Sequence, residues 1–168
     1  MADPEPSSAD GPAQKRGSWS IKAIAEEIAG VPIGLPTVRP VRGQIVLLDE
    51  RPPRLRTIVF GAGAYLVPRG DGRVLCGSTM EHVGFRKEVT AGGVHSILSG
   101  SLACVPSLGA AQLTATWSNF RPYVPNRSAL VGPSPLPGLF LATGHHRNGI
   151  LLSKVTADEV AIAVLGQA

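Results

Sequence analysis

The polar and apolar positions of the first thirty residues form two patterns. Residues 1–17 are rich in Pro, Ser, Ala, Asp and Gly and hold no large apolar side chain beyond the first methionine. Such a stretch buries too little apolar surface to offset the entropy lost on ordering, so we expect a disordered tail. Isoleucines then recur at helical spacing between Ser20, a candidate N-cap, and Gly30, a candidate C-terminal stop. This spacing predicts a short amphipathic helix.

The next part of the chain alternates short apolar runs with turn residues. The runs are rich in β-branched and aliphatic residues, and the turn signals RPPR, GAG and GDG separate them. We predict strands at VRGQIVLLDE (41–50), RTIVF (56–60), AYLVPR (64–69) and RVLCGST (73–79). Because the connections are too short for a crossover helix, the strands should be antiparallel. GDG after Arg69 predicts a hairpin turn.

The second half of the chain adds helical periodicity and further strands. Apolar residues recur at steps of three and four over residues 94–105, which predicts a helix with Thr90 as its N-cap. Strands are predicted at AQLTATWSNFRP (111–122) and GLFLAT (138–143). A last helix, from about Gly149 onward, is predicted by apolar residues on one face, namely Leu151, Val155, Ile162 and Leu165. The whole pattern predicts an α+β fold with a mostly antiparallel sheet.

Composition places the chain among ordinary globular proteins. Its 168 residues are 43% hydrophobic and 17% charged, which is enough for one domain with a core. The net charge is +4, but the basic residues form no run of five and no stripe with interleaved aromatic residues. We therefore expect no nucleic-acid partner.

Cysteine usage and hydropathy bear on the compartment. Cys76 and Cys104 both lie in apolar stretches, which predicts buried thiols rather than a disulfide or a metal pair, and hence a reducing compartment. The first residues do not resemble a signal peptide, and no window offers the roughly eighteen apolar residues that a membrane span needs. We expect a cytoplasmic protein without a membrane span.

Three familiar site patterns are incomplete in this sequence. Gly61 and Gly63 begin a dinucleotide-binding fingerprint, but Leu66 replaces its third glycine and a strand follows where a helix is needed. The four histidines have no Cys or carboxylate at metal-ligand spacing. The sequence has no G-x-S-x-G motif and no Ser, His and Asp at a recognisable spacing, so nothing in it indicates a hydrolase. We expect neither a metal site nor a nucleotide loop from these residues.

Two arginines and a tyrosine remain as candidates for substrate binding. Arg121 ends a predicted strand before Pro122, Arg147 lies in the polar turn before the last helix, and Tyr65 lies in AYLVPR. A guanidinium offers a planar pair of donors that matches a carboxylate, and a tyrosine hydroxyl adds a third hydrogen bond. The alternative is that both arginines are surface or ion-paired residues, which is the usual fate of arginine.

The start of the last helix adds a second physical feature. The first turn of a helix has unpaired N–H groups and a partial positive charge, so a negative or electron-accepting group is favoured there. Asn148 and Gly149 immediately precede this turn, and the glycine has no side chain to obstruct a ligand.

Together these segments resemble a known family. The segments are PVRGQIVLL, YLVPRGDGRVLCGSTMEHVGF, WSNFRPYVPN, LVG and LFLATGHHRNGILLSKVTADEVA, and they occur in order with family-like spacing. Over residues 18–168 the chain resembles the C-terminal half of the flavin-dependent glycine oxidase and D-amino-acid oxidase family, above all the glycine oxidases of thiamine biosynthesis. The resemblance implies FAD as the cofactor, and a small amino acid or amine, oxidised by hydride transfer to the flavin, as the substrate.

The resemblance also implies roles for individual residues. By it, Arg121 binds the substrate carboxylate, Arg147 lies beside the flavin and the substrate, and Tyr65 helps to close the site. The polar turn borders the isoalloxazine ring through His145, His146, Arg147, Asn148, Gly149, Ile150 and Leu151. It implies no dedicated acid or base side chain. Residues 118–120 are Ser, Asn and Phe where glycine oxidases tend to have Ala, Gly and Leu, and Asn126 stands where an Asp is common, which leaves substrate size open.

The largest departure from the family concerns its Rossmann half. The glycine-rich loop and the acidic ribose-binding residue of that half are absent from this sequence. We expect residues 1–17 to be a tail, 18–40 a helical remnant of the FAD domain, 41–129 the substrate domain and 130–168 the C-terminal part of the FAD domain. On this interpretation the chain is truncated or completed by a partner chain, inactive alone, and prone to oligomerise or aggregate.

Two alternatives to a truncated oxidase remain open. One is a non-catalytic remnant or subunit that binds a partner chain or a small anion through the same surface. The other is an unrelated antiparallel ligand-binding barrel.

Overall fold

The computed structural model describes residues 30, 34–125 and 129–166. The predicted tail and the predicted helix between Ser20 and Gly30 lie outside these residues. The described part forms strands β1 Arg39–Asp49, β2 Val59–Gly61, β3 Ala64–Pro68, β4 Arg73–Gly77, β5 Gln112–Tyr123, β6 Leu130–Pro133 and β7 Phe140–Thr143, with helices α1 Ala91–Cys104 and α2 Ser153–Leu165. The predicted α+β class is confirmed, and the division into domains stays a prediction.

The first five strands form one antiparallel sheet in the order β2-β3-β4-β1-β5. The predicted GDG hairpin joins β3 to β4, where the Arg69 N–H donates to the Arg73 carbonyl at 2.7 Å. Strand β1 pairs with β4 on one side and with the edge strand β5 on the other, so it is a long interior strand of the sheet. Residues on β1 therefore have neighbours on both sides.

Alternation along β1 gives the sheet two different faces. Val46 and Leu48 lie on the face covered by α1, whereas Gly43 and Ile45, at the alternate positions, lie on the opposite face. The covered face forms the main core, made of Val46, Leu48, Leu66, Val74, Cys76, Ile97 and Leu108. The opposite face is the one that remains for a ligand.

Helix α1 has the predicted N-cap. The Thr90 hydroxyl oxygen accepts from the Gly93 N–H at 3.1 Å, which satisfies one of the unpaired donors of the first turn. The glycines that weaken its helical pattern serve packing, because a Cβ at Gly100 would lie 2.7 Å from the Ala62 carbonyl oxygen. A close approach of α1 to the β2–β3 hairpin thus requires glycine at this position.

Strand β5 ends one residue later than the predicted strand over 111–122. Its pairing with β1 continues through Pro122, opposite Pro40, to Tyr123, opposite Arg39. Proline is compatible with this position because β5 is an edge strand, where a missing N–H leaves no partner unpaired. The extension places Tyr123 on the same face as Arg121.

Strands β6 and β7 form a separate two-stranded antiparallel sheet that packs against α2. Strand β7 is predicted by its apolar run, whereas β6 is not identified from the sequence. Helix α2 begins at Ser153, four residues later than the predicted start at Gly149. A 3₁₀ turn over His146–Asn148 and a further turn up to Leu152 occupy the intervening residues.

The remaining sequence expectations concern cysteines and membranes. Cys76 is buried in the core and Cys104, the last residue of α1, is partly buried; both thiols are free. Within the part of the chain that the structure describes, the two helices are too short or too polar to cross a bilayer.

Candidate functional site

Arg121 is held against the open face of the sheet. Its Nη1 donates to the Thr79 carbonyl at 3.2 Å and its Nη2 to the Ser78 hydroxyl at 2.6 Å. The guanidinium lies over Gly43, where an added Cβ would come within 2.5 Å of Cζ and Nη2. Two of its five N–H donors are thus used for anchoring, and the others remain for a ligand.

Tyr65 lies beside the same stretch of chain. It is paired with Gly77 across β3 and β4, and its hydroxyl oxygen lies 2.7 Å from the position that a Cβ at Gly77 would take. Gly77 precedes Ser78, which accepts from Arg121, so Tyr65 and Arg121 border one stretch, residues 77–79. The two predicted substrate-binding residues are therefore brought together by the sheet.

The polar turn before α2 is attached to the end of β5. His145 pairs with Tyr123 through an isolated antiparallel bridge, and the His146 ring meets the Tyr123 ring edge-on at 5.5 Å between centroids. His145 is fixed on its other side by a 2.8 Å hydrogen bond between its Nε2 and the Thr156 hydroxyl of α2. Because Arg121 and Tyr123 share one face of β5, the turn lies beside the carboxylate-binding candidate.

The electrostatics of the turn show which charges converge. Burial, followed by the positive charges of Arg121, Arg147 and His82, lowers the pKa of His146 below its ordinary 6.5. Both arginines therefore act on one imidazole. Within the described residues neither arginine forms an ion pair, so no carboxylate of this part of the chain compensates their positive charge.

The turn also presents backbone donors. The Asn148 N–H donates to the His145 carbonyl, and the Leu152 N–H donates to the Asn148 carbonyl. Within the described part of the chain, the N–H groups of Ile150 and Leu151 between them have no acceptor. Helix α2 starts without a side-chain cap. Its Ser153 and Thr156 N–H groups donate to the Ile150 and Leu152 carbonyls, whereas the N–H groups of Lys154 and Val155 have no acceptor among the described residues. This set of donors fits a group that gathers negative charge, such as the pyrimidine edge of a reduced flavin.

The predicted cofactor-contacting residues differ in exposure. Arg147 and Asn148 are exposed, Ile150 is 94% exposed and Leu151 is 81% exposed. An open groove of about 740 Å³ runs beside them, between β7 and α2, and Ala142, His145, Gly149, Ser153, Thr156 and Ala157 line part of it. The turn and the groove form a surface on which a flat ring could lie.

Several site residues were missed by sequence reasoning. Ser78 and Thr79 hold Arg121, and His82 lies edge-on to Tyr123 at 5.8 Å between ring centroids. Phe85 also meets Phe120 at 5.7 Å, but Phe120 is paired with Arg42 and so lies on the face opposite to Arg121. These contacts join β5 to the segment after β4, and the one sequence signal near them is the polar end, GST, of the predicted strand RVLCGST.

Two sequence predictions of absence can be compared with the described residues. Gly61 and Gly63 lie in the tight β2–β3 hairpin, which is not followed by a helix, so the dinucleotide fingerprint is incomplete in structure as well. Among residues 30, 34–125 and 129–166, no three His, Cys, Asp or Glu side chains cluster as metal ligands would.

Comparison with known proteins agrees with this geometry. Residues 16–162 match the FAD dependent oxidoreductase family, DAO. The bifunctional protein ThiO/ThiG of Synechocystis sp. is 36% identical over 156 residues, which cover 90% of this chain and 22% of that protein. The glycine oxidase of Pseudomonas aeruginosa is 36% identical over 152 residues, which cover 90% of this chain and 40% of that protein.

Solved structures give the same relationship. The glycine oxidase of Geobacillus kaustophilus superposes with a TM-score of 0.74 at 38% identity, over 85% of this chain and 39% of that structure. The chain thus spans less than half the length of these relatives. Because the family match extends over most of the 168 residues, this chain belongs to the DAO family of FAD-dependent oxidoreductases.

Proposed function

We propose that this chain carries the substrate-binding sheet and the flavin-facing turn of an oxidase for a small amino acid or amine of the glycine oxidase type. The observation that supports it most is the placement of Arg121. Its guanidinium is anchored by Ser78 and Thr79 on the open sheet face, beside Tyr65 and next to the turn at residues 145–151.

The proposed role of the sheet is to bind and orient the substrate. Arg121 takes the substrate carboxylate with its remaining donors, and the Tyr65 hydroxyl donates a further hydrogen bond. A substrate held at two points keeps one Cα–H bond aimed in one direction, which converts a collision into a positioned encounter. Arg147, exposed and unpaired within the described residues, adds positive charge at the same place.

FAD, when bound, supplies the acceptor for the hydride that leaves the substrate. The residues proposed to hold its ring are those of the turn, His145 to Leu151, with the free N–H groups of Ile150 and Leu151 directed to its electron-rich edge. Since the substrate is oriented by charge and hydrogen bonds, the proposal assigns no acid or base side chain.

The described residues do not form a pocket for the ADP part of FAD. A pyrophosphate needs a glycine-rich loop at a helix N-terminus, and the Gly61–Gly63 hairpin is not one. We therefore propose that the 168-residue chain binds FAD weakly by itself. A nucleotide-binding half, on the same or on a second polypeptide, would complete the site.

A chimera tests this proposal directly. Residues 34–166 replace the matching segment of Geobacillus kaustophilus glycine oxidase, whose own first half supplies the nucleotide site. We expect a yellow flavoprotein that releases peroxide with glycine, sarcosine or D-alanine. Arg121→Ala should raise KM strongly in this chimera, whereas Arg73→Ala, at an exposed ion pair in the β3–β4 hairpin, should not. Unchanged kinetics in Arg121→Ala would contradict the carboxylate assignment.

A second candidate function is a non-catalytic subunit that binds a partner chain. It is favoured by the apolar side chains that α2 and its preceding turn expose, among them Ile150, Ile162 and Leu165. A chain of this kind would bind its partner through α2 and never take up flavin, even in the chimera. Flavin content of the purified chimera therefore separates the two functions.

A further inference from the structure

On the face of the sheet that α1 covers, an ionic network around Arg42 connects β1 to the irregular segment that follows β4. Arg42 is only 5% exposed, and a buried guanidinium is tolerated only with partners for its donors. Its Nε donates to Glu81 Oε2 at 3.1 Å and its Nη2 donates to the same oxygen. Its Nη1 donates to the carbonyls of Glu88 at 2.8 Å and Arg86 at 3.3 Å. Arg42 thus holds the segment after β4 at three separate points.

Gln44 extends this network to the N-terminus of α1. Its side chain is fully buried, and its Nε2 donates to the second oxygen of Glu81 at 2.7 Å and to the Thr90 hydroxyl at 3.0 Å. Its Oε1 accepts from the Thr90 N–H at 2.9 Å. We call Arg42, Gln44 and Glu81 the β1 network. In this network both carboxylate oxygens of Glu81 accept hydrogen bonds, and both the nitrogen and the oxygen of the Gln44 side-chain amide are hydrogen-bonded.

The β1 network and Arg121 act on the same residues from opposite faces of β1. The Gln44 backbone N–H donates to the Thr79 hydroxyl at 2.9 Å, while Arg121 donates to the Thr79 carbonyl from the other side. The backbones of Arg42 and Glu81 exchange two hydrogen bonds, at 2.9 and 3.0 Å. Residues 78–81 are therefore fixed between the ion pair of buried Arg42 with partly buried Glu81 and the guanidinium of the proposed substrate site.

We propose that the β1 network is a positioning device that sets the carboxylate affinity of Arg121. Arg42, Gln44 and Glu81 do not reach the open face, since Gly43 separates them from the guanidinium. They act by fixing Ser78 and Thr79, whose oxygens determine where the Arg121 donors point. This inference rests on the proposed function only for the identity of the ligand, because the coupling itself is a property of the described contacts.

The alternative is that the network only stabilises the fold. Removing one partner of a buried ion pair is strongly destabilising in any case, so a loss of stability on its own does not distinguish the two roles. Arg42→Lys keeps the charge but cannot reach Glu81, Arg86 and Glu88 together, and Glu81→Gln keeps the shape but removes the charge. Ile97→Val, in the core beneath the same sheet, is a matched control that lowers stability without touching the network.

The test is an NMR titration of the full chain with glycolate, a carboxylate that carries no amine. The probe is the Nε–Hε signal of Arg121, assigned by its loss in Arg121→Lys. We expect Arg42→Lys and Glu81→Gln each to shift this signal and to raise the Kd for glycolate about tenfold, the size of one lost orienting hydrogen bond. Ile97→Val should leave both quantities as they are in the wild type.

The outcomes separate this inference from the proposed function. If the signal and the Kd are the same in both network variants and in the wild type, the positioning role is overturned. If the wild type binds no glycolate, the carboxylate site is wrong, and the Nε–Hε signal alone decides whether the network is coupled to Arg121. Should either network variant fail to fold, Thr79→Val gives the same readout, because it removes the hydroxyl that accepts from the Gln44 backbone N–H and hydrogen-bonds Glu81.

Discussion

The guanidinium of Arg121 occupies the space that a side chain at Gly43 would need. The two residues lie on neighbouring strands, and the absence of a Cβ at Gly43 is what allows the guanidinium to reach Ser78 and Thr79. A residue on β1 thereby controls the position of a residue on β5.

Gly43→Ala should therefore displace Arg121 and weaken carboxylate binding by about tenfold or more, because the anchoring hydrogen bonds cannot form around the new methyl group. Glycolate affinity of the full chain, or KM in the chimera, measures the effect. Gly92→Ala is the matched control: nothing lies within 4 Å of its added Cβ in the first turn of α1. It should leave affinity unchanged and stabilise the helix by about 0.5–1 kcal/mol. Equal affinities in both variants would contradict this prediction.

Tyr65→Phe should weaken substrate binding without lowering the stability of the fold. The Tyr65 hydroxyl has no hydrogen-bond partner among the described residues, so its removal should change the unfolding midpoint little. If the hydroxyl donates to the substrate, KM in the chimera should rise roughly three- to fivefold, as expected for one neutral hydrogen bond. A lower melting temperature with an unchanged KM would mean that the hydroxyl serves the fold instead.

The titration of His146 should report the convergence of the two arginines. Its pKa is held below 6.5 by burial and by the positive charges of Arg121, Arg147 and His82. His146 then binds a proton less readily in the folded state than in the unfolded chain. The free energy of unfolding should therefore decrease as pH falls below 6.5. Arg147→Gln removes one charge and should raise the His146 pKa, measured by NMR of the imidazole carbons. Arg73→Gln should leave it unchanged, and a His146 pKa at or above 6.5 in the wild type would contradict the arrangement.

Glu81 should also make the fold acid-sensitive, but in a lower pH window than His146. Burial raises its pKa, but hydrogen bonds from Thr79, Arg42 and Gln44 outweigh this and hold it below 4.5. A carboxyl with a depressed pKa stabilises the fold above its unfolded value, and this contribution is lost as pH falls through the folded pKa. Urea midpoints between pH 6 and pH 3 should therefore fall less steeply in Glu81→Gln than in the wild type. Asp158→Asn, at an exposed pair on α2, should follow the wild-type curve.

The apolar surface of α2 should govern self-association of the isolated chain. Ile162 is 72% exposed and Leu165 is 74% exposed, and the neighbouring turn exposes Ile150 and Leu151 as well. Exposed apolar patches of this kind favour association. We expect concentration-dependent mass in light scattering, reduced in the double variant Ile162→Lys and Leu165→Lys. Phe60→Lys, at an exposed position on the short strand β2, should not have the same effect.

The sequence predicted the parts of the fold that depend on local signals. Thr90 marks the start of α1, and the runs between turn residues identify β1 to β5 and β7, because capping and alternation are visible over a few residues. The predicted start of α2, at about Gly149, was wrong, because the helix begins at Ser153. Leu151 follows the helical period, but it lies in a turn that His145 and Tyr123 fix from outside the helix.

The candidate site was predictable only in part. Arg121, Arg147 and Tyr65 were identified by side-chain chemistry and by a family resemblance. In the structure, Tyr65 and Arg121 both border residues 77–79. The partners of Arg121 were not identified, because Ser78 and Thr79 lie about forty residues away along the chain and meet it only through sheet register. Likewise, nothing local indicates that Arg42 and Glu81 share a buried contact.

Gly43 and Gly77 leave the open face of the sheet without side chains at two nearby positions, on β1 and β4. The side-chain volume missing at these glycines is taken up by the Arg121 guanidinium and the Tyr65 hydroxyl, so a methyl group added at either position competes with one of these two side chains. The placement of both proposed substrate-binding side chains therefore depends on two positions where a Cβ has no room.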